Sequence, residues 1–132
     1  MLSATAASSS WLKLSHKTAI VTGAASGIGA AVSWALASDH GCRHVILVDR
    51  DADKLQDVVT QNLSQQSSNA IATSSTRWTA IPCHVGHEQQ VQDMMQEAFD
   101  ASRTTDDDPP PSILINCAGI TRDSFVTKMT LD

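Results

Sequence analysis

The chain passes from a predicted strand into a predicted helix through Thr22-Gly23-Ala24-Ala25-Ser26-Gly27-Ile28-Gly29. Three glycines let the backbone turn sharply and let a pyrophosphate approach the free N–H groups at the helix N-terminus. A plain helix-start turn would explain one glycine but not three. Because the glycines stand between a strand and a helix, this loop is predicted to bind a dinucleotide.

Apolar runs and helical patterns alternate along the rest of the chain. The predicted strands are 18–21, 44–48, 78–85 and 113–116, and the predicted helices are 26–38, 51–63 and 88–102, with loops at 64–77 and 103–112. This alternation predicts an α/β fold of the Rossmann type, a parallel sheet with helices on both faces. Right-handed crossovers predict the strand order 3-2-1-4. Pro82 should then lie on one edge strand and the fourth strand should form the other, open edge.

Helical spacing predicts which residues each helix buries. They are Ile28, Ala31, Val32 and Ala35 in the first helix, Leu55, Val58, Val59 and Leu63 in the second, and Val91, Met94, Met95 and Ala98 in the third. Residues 1–14, rich in serine and alanine, are predicted to be a flexible N-terminus. Residues 15–132 are predicted to be the N-terminal part of an NAD(P)-binding Rossmann domain, cut off after its fourth strand.

Composition excludes several classes of function. The 132 residues carry a formal net charge of -5, which argues against non-specific nucleic-acid binding, since that needs cations to neutralise phosphates. No apolar run reaches the roughly 20 residues of a membrane helix. Cys42, Cys83 and Cys117 are widely spaced, so neither a disulfide framework nor a metal site is predicted.

Asp49 ends the second predicted strand, at the spacing after the glycine-rich loop that a ribose-binding carboxylate has. A carboxylate there can accept hydrogen bonds from both hydroxyls of an adenosine ribose. The alternative is an aspartate that caps the helix beginning near Asp51. Asp49 favours NAD over NADP, but Arg50 follows it directly, and an arginine near this point can accommodate a 2′-phosphate.

A second motif, Asn116-Cys117-Ala118-Gly119, follows the fourth predicted strand. With the glycine-rich loop it resembles the short-chain dehydrogenase/reductase family, and the resemblance extends from about Leu14 to the end of the chain. Residues 120–123 and 128–129 resemble the 3-oxoacyl-[acyl-carrier-protein] reductase branch of that family. Residues 110–121 resemble its estradiol 17β-dehydrogenase type 8 branch.

The resemblance implies a role for each candidate residue. The diphosphate would contact Gly23, Ser26, Gly27, Ile28 and Gly29, and the adenine ribose would contact Asp49. The nicotinamide-side ribose and the backbone near it would contact Asn116, Ala118 and Gly119. Cys117 is predicted to be a packing residue.

His84-Val85 stands where the family commonly has Asp-Val, whose aspartate bonds the adenine amino group. A neutral imidazole can accept a hydrogen bond through one nitrogen, so His84 and Val85 are also candidates for cofactor binding. A surface histidine with no ligand role is the alternative.

Catalysis in the family uses a later serine, a Tyr-x-x-x-Lys segment and a further asparagine, with the tyrosine exchanging a proton with the substrate oxygen. The 132 residues contain no tyrosine, so no catalytic residue is assigned. The expected function is that of a truncated NAD(H)-dependent oxidoreductase whose full-length form reduces 3-oxoacyl thioesters or oxidises 17β-hydroxysteroids. A non-catalytic nucleotide- or partner-binding module and an incomplete reading frame without a function of its own are the alternatives.

The resemblance also implies the partners, the oligomeric state and the cellular location of the full-length form. Its partners would be a nicotinamide dinucleotide and a small-molecule or acyl-carrier thioester substrate, with no nucleic acid and no membrane. It would assemble as a homo- or hetero-tetramer. Its expected location is the mitochondrial matrix, or otherwise the cytoplasm.

Overall fold

The computed structural model describes residues 13–68 and 75–119, and these form one parallel sheet with helices on both faces. The elements in chain order are β1 (Thr18–Thr22), α1 (Gly27–Ser38), β2 (His44–Asp49), α2 (Ala52–Ser68), β3 (Arg77–Pro82), α3 (Glu88–Ser102) and β4 (Ile113–Asn116). The strand order is β3-β2-β1-β4, and each pair is parallel. The predicted α/β architecture and the order 3-2-1-4 are therefore confirmed.

The two central strands are buried on both faces, which explains their nearly continuous apolar sequence. One face packs against α1 and α2 and includes Ala19, Val21, Val45 and Leu47, with Leu55 and Val59 above them. The other face packs against α3 and includes Ile20, Ile46, Val48 and Ile81, with Met94 and Ala98 above them. Alternate residues of each strand thus enter two separate cores.

The outer strands lie where the sequence predicts them. Pro82 is exposed at the end of β3, which pairs only with β2 among the described residues. On the other side of the sheet β4 pairs only with β1 within those ranges, and Leu114 on β4 is 55% exposed. Among the described helices, none combines the length and the apolar character needed to cross a membrane.

The second helix is longer than its sequence suggests. It continues to Ser68, so the prediction of a loop from residue 64 is wrong for its first part. The hydroxyls of Ser64, Ser67 and Ser68 donate to carbonyls four residues earlier, which satisfies this polar turn. Gln66 fastens it to the sheet, because its side-chain oxygen accepts from Trp78 Nε1 at 2.9 Å.

The third strand is shorter than predicted, because it ends at Pro82 instead of residue 85. The N–H of Cys83 still bonds the carbonyl of Asp49 at 2.8 Å. The next N–H, that of His84, turns away from β2 and donates to Gln90 Oε1 at 2.8 Å. The hydrogen bond from His84 to the Gln90 side chain of α3 therefore replaces further pairing of β3 with β2.

The buried face of α1 also differs from the prediction. Ile28 is 76% exposed and Ala31 is exposed, whereas Val32 packs against the core as predicted and Ala35 is half-buried. The fully buried residues of the helix are Gly29, Ser33, Leu36 and Ala37. The helix turns its small residues inward because Gly29 lies against the preceding loop, too close for any side chain. Ser33 is tolerated there because its hydroxyl donates to the Gly29 carbonyl at 2.7 Å.

The other two helices follow their predicted faces more closely. In α2, Leu55 and Val59 are buried, but Leu63 is 47% exposed and its place on the inner face is taken by Asn62. In α3 the prediction is confirmed, since Met94 and Ala98 are buried and Val91 and Met95 pack against the same core. The error at Leu63 falls on the last residue of the predicted helix, beyond which the observed α2 continues to Ser68.

The packed domain begins before residue 15. Leu14, assigned to the flexible N-terminus by its sequence, is buried, and its N–H donates to the His40 carbonyl at 2.9 Å. Its own carbonyl accepts from the N–H groups of Lys17 and Arg43. Residues 1–12 of that predicted segment lie outside the described residues.

The loop at residues 103–112 is an acidic linker, and one of its aspartates is held in place by the fold. Asp108 accepts hydrogen bonds from the backbone N–H groups of Thr104 and Thr105 and forms an ion pair with Arg43. The Thr104 hydroxyl and the Arg43 guanidinium hold the pKa of Asp108 well below its usual range. The linker is therefore anchored to the amino end of β2.

A buried polar network joins the amino ends of β2 and β3 to the end of α3. His44 is fully buried, with Nδ1 at 2.9 Å from Arg77 Nη2 and Nε2 at 2.8 Å from Thr79 Oγ1. Arg77 Nη2 also donates to the carbonyls of Ala101 and Ser102. Because a guanidinium only donates, Nδ1 of His44 accepts and the ring is neutral.

This neutral histidine should make stability depend on pH. Burial lowers the pKa of His44 to about 4, and the charges of Arg77 and Arg43 act in the same direction. The unfolded residue takes up a proton near pH 6.5, whereas the folded one does not until about pH 4, so acid favours unfolding. We expect the free energy of unfolding to fall by up to about 3 kcal/mol across this interval.

Urea unfolding followed by tryptophan fluorescence at several pH values measures this loss. His44→Gln should flatten the dependence between about pH 6.5 and 4, whereas His16→Gln, at an exposed position, should leave it unchanged. Equal pH dependence in the parent protein and His44→Gln would contradict the assignment.

Candidate functional site

The glycine-rich loop leaves β1 and is tied to both of its neighbouring strands. The N–H of Ala24 donates to the Val48 carbonyl at the end of β2, at 3.1 Å. Gly23 has a φ of +68°, and a Cβ there would lie 2.6 Å from the backbone nitrogen of Ala118. The loop therefore passes directly over the backbone that follows β4, and only glycine fits at this crossing.

The other two glycines of the motif serve different purposes. A Cβ on Gly29 would lie 2.1 Å from the Gly23 carbonyl oxygen, so the first turn of α1 sits directly on the loop. A Cβ on Gly27, whose φ is +55°, would meet nothing within 4 Å. Gly23 and Gly29 are thus required by the protein's own packing, whereas Gly27 opens onto free space.

That space lies in front of the N-terminus of α1. Ser26 precedes the helix and is exposed, and its side chain makes no capping hydrogen bond. The first N–H groups of a helix have no partner within it and carry partial positive charge. An anion lying against Gly27 would meet these groups and the Ser26 hydroxyl, with the exposed Ile28 beside it.

Asp49 connects the end of β2 with the loop. Its Oδ2 accepts from the N–H of Ala25 at 3.1 Å, and its Oδ1 accepts from the N–H of Asp51 at 3.2 Å. The alternative role of Asp49 as the cap of α2 is not observed, because Asp51 Oδ1 accepts from the N–H of Lys54. That hydrogen bond lowers the pKa of Asp51. The Asp49 carboxylate instead faces the glycine-rich loop, and Arg50 beside it is exposed.

The segment after β4 is fastened to the end of β1 by Thr22, a residue to which the sequence assigns no role. Its hydroxyl donates to Asn116 Oδ1 at 3.3 Å and accepts from the N–H of Ala118 at 3.3 Å. The Thr22 carbonyl accepts from the N–H of Cys117 at 3.2 Å. A Cβ on Gly119 would meet nothing within 4 Å, so this segment also borders open space.

At the end of β3 the His84 ring has a fixed orientation. Its Nδ1 accepts from the N–H of Gly86 at 3.0 Å, and the His87 ring lies edge-on with its centre 4.5 Å away. The predicted acceptor nitrogen of His84 is therefore already occupied within the loop, which corrects the expectation that it accepts from adenine. Val85 beside it is exposed.

The predicted cofactor-binding residues thus all lie at the carboxyl ends of the four strands or directly after them. Ligands of open parallel sheets bind in the crevice outside these ends. Sequence reasoning missed Thr22, Ala25, Gly86 and Gln90, which orient the predicted residues through backbone contacts that no local pattern reveals.

Within residues 13–68 and 75–119, no three histidine, cysteine, aspartate or glutamate side chains are placed to hold a metal ion. The three cysteines are free thiols, and burial raises the pKa of Cys42 and Cys83. Cys117 packs against the core beneath α1 and α2, in agreement with its predicted role.

Solved structures with the same architecture are numerous. A short chain oxidoreductase from Pseudomonas aeruginosa PAO1, described with NADPH bound and an atypical catalytic center, superposes with a TM-score of 0.71 at 28% identity, covering 91% of this chain and 41% of that one. L-sorbose reductase from Gluconobacter frateurii, complexed with NADPH and L-sorbose, has a TM-score of 0.69 at 22% identity, covering 90% and 39%, which shows the shared fold alone.

Sequence relatives agree with this architecture. The (3R)-3-hydroxyacyl-CoA dehydrogenase of Canis lupus familiaris is 35% identical over 123 residues, and that of Mus musculus is 32% identical over 121 residues. Each alignment covers 92% of this chain and 43% of the relative, so the chain spans less than half of their length. The short chain dehydrogenase family model matches residues 17–132. With nearly the whole chain matched and the sheet order confirmed, this protein belongs to the short-chain dehydrogenase/reductase family.

Proposed function

We propose that the chain binds NAD(H) across the carboxyl ends of its strands, as the cofactor-binding part of an oxidoreductase that acts on 3-hydroxyacyl or 3-oxoacyl thioesters. The observation that carries the proposal is the open space at Gly27. The surrounding loop is otherwise filled by the chain's own backbone, at Gly23 and Gly29. A closely packed loop that leaves free space at one glycine, in front of a helix N-terminus, can accommodate a pyrophosphate.

The sheet order determines how a dinucleotide would lie in this crevice. With the pyrophosphate at the end of β1, one half extends over β2 towards Asp49 and the other over β4 towards Asn116. A carboxylate at the end of β2 suits the adenosine ribose, so the nicotinamide half belongs on the side of residues 116–119. When bound, the nicotinamide would supply the group that accepts or donates a hydride. The described residues bind and orient it.

The preference for NAD rests on the charge of Asp49. A 2′-phosphate on the ribose would meet this carboxylate, and two unit charges ~4 Å apart repel by ~4 kcal/mol at an effective dielectric of 20. Arg50 is exposed and forms no ion pair with any described residue. The two solved structures described above contain NADPH, so the shared fold does not by itself select one dinucleotide.

The substrate class is inferred from sequence relatives. The two described above are named (3R)-3-hydroxyacyl-CoA dehydrogenases, and residues 120–123 resemble the 3-oxoacyl-[acyl-carrier-protein] reductase branch. Both names refer to the same chemical change, in which a hydride moves between the dinucleotide and the C3 carbon of an acyl thioester. The resemblance of residues 110–121 makes oxidation of a 17β-hydroxysteroid the second candidate.

Replacing Asp49 by alanine should change which dinucleotide binds. We expect the parent protein to bind NADH at least ~10-fold more tightly than NADPH, and Asp49→Ala to remove most of that difference, because the repulsion disappears. NADH should also bind more weakly to Asp49→Ala, because the carboxylate no longer accepts from the ribose hydroxyls or from the N–H of Ala25. Isothermal titration measures all four dissociation constants, with Asp53→Asn as a control that removes a nearby exposed charge. Tighter binding of NADPH by the parent protein would contradict the proposal.

Alanine at Gly27 should mainly weaken NADH binding, whereas alanine at Gly29 should mainly lower the free energy of unfolding. At Gly27 the added methyl enters the open space, so we expect NADH binding to weaken at least ~10-fold, with a loss of ~1–2 kcal/mol in the free energy of unfolding from its positive φ. At Gly29 the methyl would overlap the Gly23 carbonyl, so we expect an unfolding loss of ~4 kcal/mol or more. Titration with NADH and urea unfolding distinguish the two. Unchanged NADH affinity in Gly27→Ala would show that the pyrophosphate does not lie there.

The polypeptide of these 132 residues should bind the dinucleotide without turnover. It contains no tyrosine to exchange a proton with the substrate oxygen, and general acid catalysis alone contributes ~10²–10⁴-fold to such reactions. We expect no oxidation of NADH in the presence of acetoacetyl-CoA above the background of a Gly29→Asp control. Turnover above that background would require a proton donor other than tyrosine among these residues.

A further inference from the structure

The purine of a bound dinucleotide would lie against the end of β3. The pyrophosphate belongs at the end of β1 and the ribose at Asp49 on β2, and β3 is the next strand in the order β3-β2-β1-β4. The N–H of Cys83 bonds the Asp49 carbonyl, so the chain after β3 starts beside the ribose position. His84 is the first exposed side chain beyond that bond.

The ring of His84 is held by the loop it stands on. Its Nδ1 accepts from the N–H of Gly86 at 3.0 Å, and its backbone N–H donates to Gln90 Oε1. A Cβ on Gly86 would lie 2.9 Å from Cε1 and 3.1 Å from Nδ1 of the ring, so the glycine is what allows this contact. The His87 ring closes the other side, edge-on at 4.5 Å between centres.

This hydrogen bond determines which nitrogen of His84 carries the proton. A neutral imidazole has one donor and one acceptor nitrogen. Because Nδ1 accepts from Gly86, the hydrogen resides on Nε2, which is therefore a donor. No group in residues 13–68 or 75–119 accepts a hydrogen bond from Nε2. The exposed His84 thus carries an unpaired donor directly after the end of β3, beside which the base of the dinucleotide would lie.

We propose that His84 donates a hydrogen bond from Nε2 to an acceptor atom on the purine edge, so that the site accepts a 6-oxo purine at least as well as adenine. The inference rests on the proposed binding of NAD(H). Adenine carries a donor, the amino group, at position 6 and acceptors at its ring nitrogens, whereas hypoxanthine carries an acceptor oxygen at position 6. An aspartate at this position would have the opposite preference, because a carboxylate only accepts.

The test compares NADH with its reduced hypoxanthine analogue, nicotinamide hypoxanthine dinucleotide, by titration of the protein. We expect the parent protein to bind the analogue as tightly as NADH or up to ~5-fold more tightly, the factor that one net hydrogen bond supplies. His84→Asp should reverse the preference to ~5-fold in favour of NADH. Gly86→Ala, which displaces the ring and keeps the imidazole, should move the ratio in the same direction as His84→Asp, but less far.

His16→Asp is the matched control, because it makes the same change of residue at an exposed position before β1, at the opposite end of the sheet from His84. In this control variant, the ratio of the dissociation constants for NADH and the analogue should stay within ~2-fold of the parent ratio, which is a smaller change than the loss of one net hydrogen bond would cause. Parent binding of NADH more than threefold tighter than that of the analogue would overturn the inference, as would an unchanged ratio in His84→Asp. Failure of both dinucleotides to bind would instead refute the proposed function and, with it, this inference.

Discussion

The close contact between α1 and the glycine-rich loop positions every other part of the site. The backbone at Gly29 lies so near the Gly23 carbonyl that no Cβ fits between them. This contact brings the first turn of α1 down onto the end of β1 and turns the small residues of the helix towards the sheet. The exposed Ile28 follows directly from that rotation. The proposed pyrophosphate site lies in front of the helix because the helix begins here.

The same loop also connects the two halves of the crevice. Gly23 crosses the backbone of residues 117–118, and Ala25 donates its N–H to the Asp49 carboxylate. The ribose-binding candidate on β2 and the segment after β4 are therefore both in contact with one short turn. A change at Asp49 acts on the ribose position and on the geometry of the loop together, which is why its substitution affects more than the choice between two dinucleotides.

Polar groups have opposite roles at the two ends of the sheet. At the amino ends, Arg77 donates through Nη2 to His44 and to the last carbonyls of α3, while its buried Nε has no partner among the described residues, and Asp108 pairs with Arg43. Buried polar groups of this kind stabilise only while their partners remain, so this end contributes to folding. At the carboxyl ends, the hydroxyl of Ser26 makes no capping bond and Nε2 of His84 has no partner among the described residues. Donors left unpaired at an exposed edge are available to a ligand.

Local patterns in the chain were sufficient to predict the order of the elements, the strand order and the positions of the candidate residues at the strand ends. Periodicity, glycine spacing and the distance from Gly29 to Asp49 all depend on residues near one another in sequence. These patterns wrongly place Ile28 and Leu63 on the inner faces of their helices, whereas both side chains are exposed. In α1 the contact of Gly29 with the loop determines which face is buried, and near Leu63 the hydrogen bond between Gln66 and Trp78 of β3 holds the end of α2. The hydrogen bond from Ala25 to Asp49 spans 24 positions in the chain. The hydrogen bond from the N–H of Ala118 to the Thr22 hydroxyl spans 96 positions. Such hydrogen bonds form only after the chain has folded, because their partners are brought together by packing and not by sequence spacing.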